Sequence, residues 1–251
     1  MKNLLKFTLI GFFWILVWYI LALIIDLPLI FPSPLSVIIR LGELLTKWGF
    51  YKIALLSFVR IIIGIFIAVC GGCFMAFICS LSKIIYDFFI PLVSIIKSTP
   101  VVAFVFLVNL FIGSEKTVIF ICFLMVFPIV FANVYQGIKS TDKDLLEMCK
   151  LYKIPLLKRA SSLYLPSVTP FFISSLLTSI GLAWKAGIAA EILCTPTISI
   201  GYEIFNAKQY IEYIDLFAWI VTVVILSMLF ELITSKILKV VLSKKHIKTE
   251  G

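Results

Sequence analysis

Long apolar runs dominate this chain, and most are about as long as a lipid bilayer's interior is thick. Residues 57–79 read SFVRIIIGIFIAVCGGCFMAFIC, and further runs occupy about 7–25, 99–113, 117–135, 168–190 and 214–236. About 20 consecutive apolar residues in a helix cross a hydrocarbon core of roughly 30 Å. Backbone polar groups find no water there, so helices are the expected structure. A transmembrane β-barrel would instead show short segments of alternating polarity, which this chain lacks. Hydrophobic residues make up 62% of the chain and charged residues 14%, against roughly 45–50% and about 25% in soluble domains. The expectation is an all-α integral membrane protein: a bundle of about six transmembrane helices forming one domain over 1–251.

Punctuation between the runs refines this picture. The first run follows Lys2 and Lys6 but is too long for a signal-peptide core, and no small-residue cleavage site follows it, so it reads as a retained span. Phe31-Pro32-Ser33-Pro34 then opens an amphipathic helix over about 34–48, with Leu35, Ile38, Ile39 and Leu45 alternating with Arg40, Glu43 and Lys47. Such a helix suits the membrane surface. The third run is short, so part of 84–97, which contains Pro91, is expected to enter the membrane as well. Gly113-Ser114-Glu115-Lys116 has the composition of a turn before the fourth span.

The net charge of +9 sorts by side rather than gathering into a patch for nucleic acid. With the N-terminus in the cytoplasm, fifteen Lys and Arg fall inside: Lys2, Lys6, Lys83, Lys97, six in 139–159 and five from 236 onward. Seven fall outside: Arg40, Lys47, Lys52, Arg60, Lys116, Lys185 and Lys208. The positive-inside rule therefore predicts a multi-pass protein of the cell (inner) membrane with both termini cytoplasmic.

Several chemistries are disfavoured. Cys70-Gly-Gly-Cys73 has redox spacing but lies mid-span without a basic neighbour, which favours packing. The one histidine, His246, lies in the basic tail, so an imidazole-based metal or catalytic site is not expected. An integral membrane enzyme would need clustered His, Asp or Cys at one membrane face. No Gly-x-x-x-x-Gly-Lys-Ser/Thr loop occurs, so the chain is not an ATPase by that mechanism.

One long charged stretch interrupts the apolar pattern between the fourth and fifth spans, in the predicted cytoplasmic loop 139–166. On a helix, Leu145, Met148, Cys149 and Tyr152 fall at i, i+3, i+4 and i+7 and form an apolar stripe, with Lys143, Glu147 and Lys150 pointing away. Periodicity alone fits a helix docked on a partner or one resting on its own bundle.

The order of residues in that loop resembles the ATPase-coupling loop of permease subunits of binding-protein-dependent ABC importers. The family's pattern runs Glu-Ala-Ala, three residues, Gly, nine residues, an aliphatic, one residue, then an aliphatic followed by Pro. Its slots fall on Glu147, Met148, Cys149, Lys153, Leu163, Leu165 and Pro166 with every spacing intact, both Ala slots and the Gly slot being substituted. Further likenesses to the nitrate/sulfonate/taurine branch are Phe31-Pro32-Ser33-Pro34, then Ser57, Arg60 and Gly64, then Pro91, Pro100 and Ala103. Phe127-Pro128-Ile129, Asn133 and Gly137, then Trp184 with Ala190-Glu191, complete the series. The resemblance implies a type I ABC importer permease fold and a paired, homodimeric permease. It also implies ATPase subunits below, which would bind the ATP and Mg, and an extracytoplasmic solute-binding protein. No cofactor is implied for this chain. The solute implied is a small anion of the nitrate, sulfonate or taurine kind, or a vitamin-precursor heterocycle. In the family, Gly at the Lys153 slot permits a left-handed turn; Lys153 either adopts that conformation at a cost of about 1 kcal/mol or bends differently.

Charges at membrane depth tend to mark transport pathways. Lys185 and Glu191, near the outer end of the fifth span, are the candidates, with Lys185 beside Trp184 positioned for an anion or a cation–π contact. The alternative for both is snorkelling to the outer interface. Asn109 is a further pathway candidate or an interhelical hydrogen-bonding group. Gly64, Ala68, Gly72 and Ala76 recur every four residues and suit close helix packing. A secondary transporter driven by an ion gradient is the rival reading; it would show internal repeats and helices broken in matching halves, and the sequence displays no such repeat.

Overall fold

The computed structural model describes residues 2–247, with side chains described for 9–237. Among the described residues there are eleven α-helices and no strands. They are α1 Lys2–Ile25, α2 Pro34–Leu45, α3 Trp48–Leu81, α4 Lys83–Ser98, α5 Val101–Ile112 and α6 Ser114–Lys139. Then come α7 Lys143–Leu151, α8 Leu156–Arg159, α9 Leu165–Cys194, α10 Ile200–Gln209 and α11 Tyr213–Ile247. Four stretches are long and apolar enough to cross a membrane: Trp48–Leu81, Ser114–Lys139, Leu156–Cys194 and Tyr213–Ile237. Leu9–Ile25 is a shorter apolar helix within α1, and α4 with α5 forms a pair bent by 102°.

Among the described residues, 2–57 and 195–226 form one compact unit. Here Ser33 caps α2, accepting from the Ser36 amide at 3.3 Å, while Pro34 supplies a preset φ at the first helical position. Helix α2 ends at Leu45, earlier than the expected 48. Its Val37 and Leu44 are buried, whereas Leu35, Ile38 and Ile39 form the exposed apolar face foreseen for a surface helix. The Arg40 guanidinium pairs with Asp215 through Nε and Nη2 and with Glu43 at 2.7 Å. Those bonds raise its pKa still further above the ordinary arginine value, so it stays charged. Phe50 stacks on Trp219 with centroids 5.1 Å apart, and the Ser57 hydroxyl accepts the Ile200 amide at 2.9 Å. A cleft of about 310 Å³ opens beside Arg40, between Pro28-Leu29 and 211–215.

Residues 58–194 and, among those described, 227–247 form the second unit, built on α6 lying against α9. Val118, Ile121 and Leu124 of α6 close on Ala186, Ala190 and Cys194 of α9, with Val105 of α5 completing the cluster. Small residues allow this closeness. A Cβ on Gly64 would sit 2.5 Å from Cys122 Cβ and 2.6 Å from the Ile119 carbonyl oxygen, so α3 and α6 meet nearly backbone to backbone. Aromatic rings at Phe123, Phe127, Phe131 and Tyr135 form a ladder down α6 at four-residue spacing.

Two expectations need adjusting. Helical structure leading into the fifth span begins at Leu156, not 168. A π-helical turn at Ala160–Tyr164 carries the chain into α9, and Leu165 donates to the Ala160 carbonyl. That shift lets Pro166 follow without breaking the helix, because the ordinary ladder is already interrupted there. The third span is a broken element rather than a straight run over 99–113: Pro100 lacks the amide that would continue α4 and stands just before α5.

Candidate coupling segment and translocation pathway

The segment between α6 and α9 is ordered by local chemistry. Asp142 caps α7, its Oδ1 accepting from the amides of Asp144 at 2.9 Å and Leu145 at 3.4 Å. Asp144 in the first turn and Lys150 in the last suit the helix dipole. At the other end Lys153 has φ +49°, the left-handed conformation demanded of the family's glycine slot. Its amide donates to the Lys150 carbonyl at 3.1 Å and the Ile154 amide to the Cys149 carbonyl at 3.0 Å, which is the paired bonding of a Schellman motif. Arg159 Nε then donates to the Ile154 carbonyl at 2.7 Å and ties the turn to α8.

This geometry leaves most of the expected apolar stripe open. Cys149 is buried, but Leu145 and Met148 are exposed, and Tyr152, 76% exposed, lies past the last helical residue as the C-cap. Glu147 and Lys153 are exposed, Leu163 is half-buried, and Leu165 and Pro166 are exposed. Leu151, Leu156 and Leu157 add 80%, 79% and 86% exposed apolar side chains to the same segment.

The pathway candidates separate from one another. Trp184 is buried, its indole 6.0 Å from Phe58 and 6.5 Å from Phe230 between ring centroids, which makes it a packing residue. Lys185 is exposed. Glu191 is fully buried, which overturns snorkelling for that residue; burial and a specific partner hold it inside. That partner is Arg60, whose Nη1 lies 3.5 Å from Glu191 Oε1, while its Nη2 lies 3.2 Å from Glu115 Oε1. Arg60 thereby links α3, α6 and α9. Sequence reading missed this constellation because the partners lie 55 and 131 residues from Arg60; the available signal was that all three charges fall in or beside apolar runs. Asn109 is half-buried, and its Oδ1 is buried without a partner among the described residues, so it does not accept the interhelical bond considered for it.

The small-residue series lies where close packing needs it. Gly64 and Gly72 face Cys122 and Val130 of α6, and Ala68 and Ala76 are fully buried. A Cβ on Gly187 of α9 would come within 2.7 Å of Ile61 and 2.9 Å of the Cys122 sulfur. Among the described residues no group of three or more His, Cys, Asp or Glu side chains is arranged to hold a metal.

The chain is similar to several known transport permeases. A permease protein for taurine transport from Escherichia coli (strain K12) is 23% identical over 86% of this chain and 80% of its own length. A Bacillus subtilis (strain 168) protein, provisionally named an aliphatic sulfonates transport permease, is 24% identical over 76% of this chain and 70% of its own. A nitrate import permease from Synechococcus elongatus (strain ATCC 33912 / PCC 7942 / FACHB-805) is 27% identical over 61% of this chain, and the match spans about half of that relative, 55% of its length. The family model described as "Binding-protein-dependent transport system inner membrane component" matches residues 61–247. The chain belongs to this family of inner-membrane transport components, ABC permease subunits rather than enzymes.

Proposed function

We propose that this chain is the membrane-spanning subunit of an ATP-driven importer that passes a small anion through a paired permease. The anion is of the sulfonate, nitrate or taurine kind and arrives on an extracytoplasmic solute-binding protein. In this reading ATP and Mg bind to a separate ATPase, and both termini of the permease are cytoplasmic. Two copies of this chain form the pathway, to which Lys185, Glu191 and Asn109 contribute.

The observation that carries the reading is the segment 142–166. It combines the family's spacing, a left-handed Lys153 at the glycine slot and a set of exposed apolar side chains, Leu145 to Tyr152 before the Leu156–Cys194 stretch and Leu156 and Leu157 at its start. Apolar surface of that kind marks an interface. Met148, Leu151, Tyr152, Leu156 and Leu157 would enter a groove on the ATPase, and Glu147 would meet a basic residue at its edge. Closure of the ATPases then moves α7 and α8, and the continuous helix from Leu156 carries the motion into α9. The test is uptake of radiolabelled taurine, nitrate and ethanesulfonate into vesicles holding the permease with its ATPase and binding protein. ATP-dependent accumulation of one of them supports the reading; accumulation driven by an ion gradient without the ATPase contradicts it.

A further inference from the structure

The pair α4–α5 turns by 102° at Thr99–Pro100, and contacts along α4 fix the depth of that break. Tyr86 stacks on Tyr135 near the C-terminal end of α6, with centroids 4.3 Å apart. Phe89 meets Phe131 and Phe127, one and two turns further along. Ile96, Thr99 and Val101 then line a small cleft with Ile121, Leu124 and Met125. Helix α6 has 26 residues from Ser114 to Lys139, so Leu124 and Met125 lie near its midpoint. The break is level with the middle of α6, and where α6 crosses a hydrocarbon core of about 30 Å that level is about 15 Å from either interface.

Lys97 stands in the last turn of α4. The charge count assigns it to the cytoplasmic surface, but its level on α6 is deeper. It lies four residues beyond buried Val93 and continues the face of Tyr86, Ile90 and Val93, away from exposed Ile84, Phe88 and Ile95. Its side chain therefore leaves α4 on the protein side, yet Lys97 is exposed and has no ion-pair partner among the described residues. An ammonium at that depth is costly in lipid, and its four-carbon stem does not reach the headgroups. Irregular backbone at membrane depth is also tolerated only inside protein or beside water. The exposed ammonium calls for water at the break, and the irregular backbone is compatible with it.

We propose that the α4–α5 break lines a water-filled part of the translocation pathway, where Lys97 binds a small oxyanion in transit. The proposal rests on the reading that this chain conducts an anion, and it adds the residue that meets the charge. Broken helices near the midplane serve this purpose in other transporters.

Thiol labelling in membrane vesicles tests it, with the six native cysteines replaced and the full chain inserted. The probes are two water-soluble methanethiosulfonates, one bearing a sulfonate and one a trimethylammonium. Lys97→Cys is expected to react with both, and Ile95→Cys, at the same depth on the lipid side, with neither. Ser94→Cys, on the face adjoining Lys97, should favour the sulfonate reagent, and Lys97→Gln should lower that preference by about threefold or more. Protection of Lys97→Cys from both reagents, or a preference unmoved by Lys97→Gln, overturns the proposal. If the cysteine-free chain fails to insert, peptide mass spectrometry reads the same modifications in the chain with its native cysteines. These rates need no transport. Absence of uptake in wild-type vesicles would remove the importer reading while the labelling result stood separately.

Discussion

Arg60 Nη1 lies 3.5 Å from Glu191 Oε1 and joins α3 to α9, with the glutamate fully buried and the arginine nearly so. A pair in such a place holds helices in register, because either charge left alone there is strongly disfavoured. Glu115 at 3.2 Å, 66% exposed, is the solvent-facing third member and contributes less.

Arg60→Ala is therefore expected to destabilise the chain by about 3–5 kcal/mol. Arg60→Met combined with Glu191→Leu should recover most of that loss, since the apolar pair leaves no buried charge. Thermal melting in detergent checks both, and an unshifted midpoint in Arg60→Ala would show that the pair is not structural.

Close contact of α3 with α6 gives a steric prediction. Gly64→Ala places a methyl 2.6 Å from the Ile119 carbonyl oxygen, which cannot move aside cheaply, and should cost about 1–3 kcal/mol. Gly181→Ala, with nothing within 4 Å, is the matched control and should melt at or slightly above the wild type, since alanine favours the helix.

Lys153 tests the turn that ends α7. Because its φ is +49°, Lys153→Gly should stabilise the chain by about 1 kcal/mol and leave ATPase recovery and uptake intact. Severe loss of either would mean that the ammonium, not the turn, is what the partner reads.

Exposed Lys185 is expected to act on the solute rather than on the fold. Lys185→Ala should reduce uptake without altering melting temperature or ATPase recovery. Uptake at the wild-type rate would assign Lys185 to the outer interface by snorkelling.

How far the sequence discloses this molecule depends on the range of the interaction. Apolar runs near twenty residues are visible one at a time, so the runs 57–79, 117–135 and 214–236 fall within α3, α6 and α11, each of which extends beyond its run. Ser33-Pro34 announces the start of α2 by itself, because capping is local. Lys158 and Arg159 disguise the start of the helical stretch at Leu156 by breaking its apolar pattern, and nothing in ASSLY reveals a π-helical turn. Pro100 signals a break but not its angle, which is set where α4 and α5 rest on α6. The Arg60–Glu191 pair needs three dimensions altogether. At the candidate coupling segment, spacing offers the positions by resemblance, while the exposure of Met148 and Tyr152 depends on α7 ending at Leu151, which spacing does not reveal.

The orientation inferred from charge can be checked at the same segment. Ser161→Cys in a cysteine-free chain should react with an impermeant thiol reagent in inverted vesicles and not in intact cells. Labelling from outside the cell would reverse the topology and remove 142–166 from the reach of any ATPase.

The central claim is that 142–166 grips an ATPase, and a pull-down through a tag on this chain measures it most directly. The wild type should bring down the ATPase produced with it. Glu147→Ala should recover clearly less and Met148→Asp at most about a tenth, as expected when a contact buried at an interface is broken, with both variants still folded and inserted. A wild-type chain that purifies without an ATPase, or a Met148→Asp variant that retains it fully, would contradict the account.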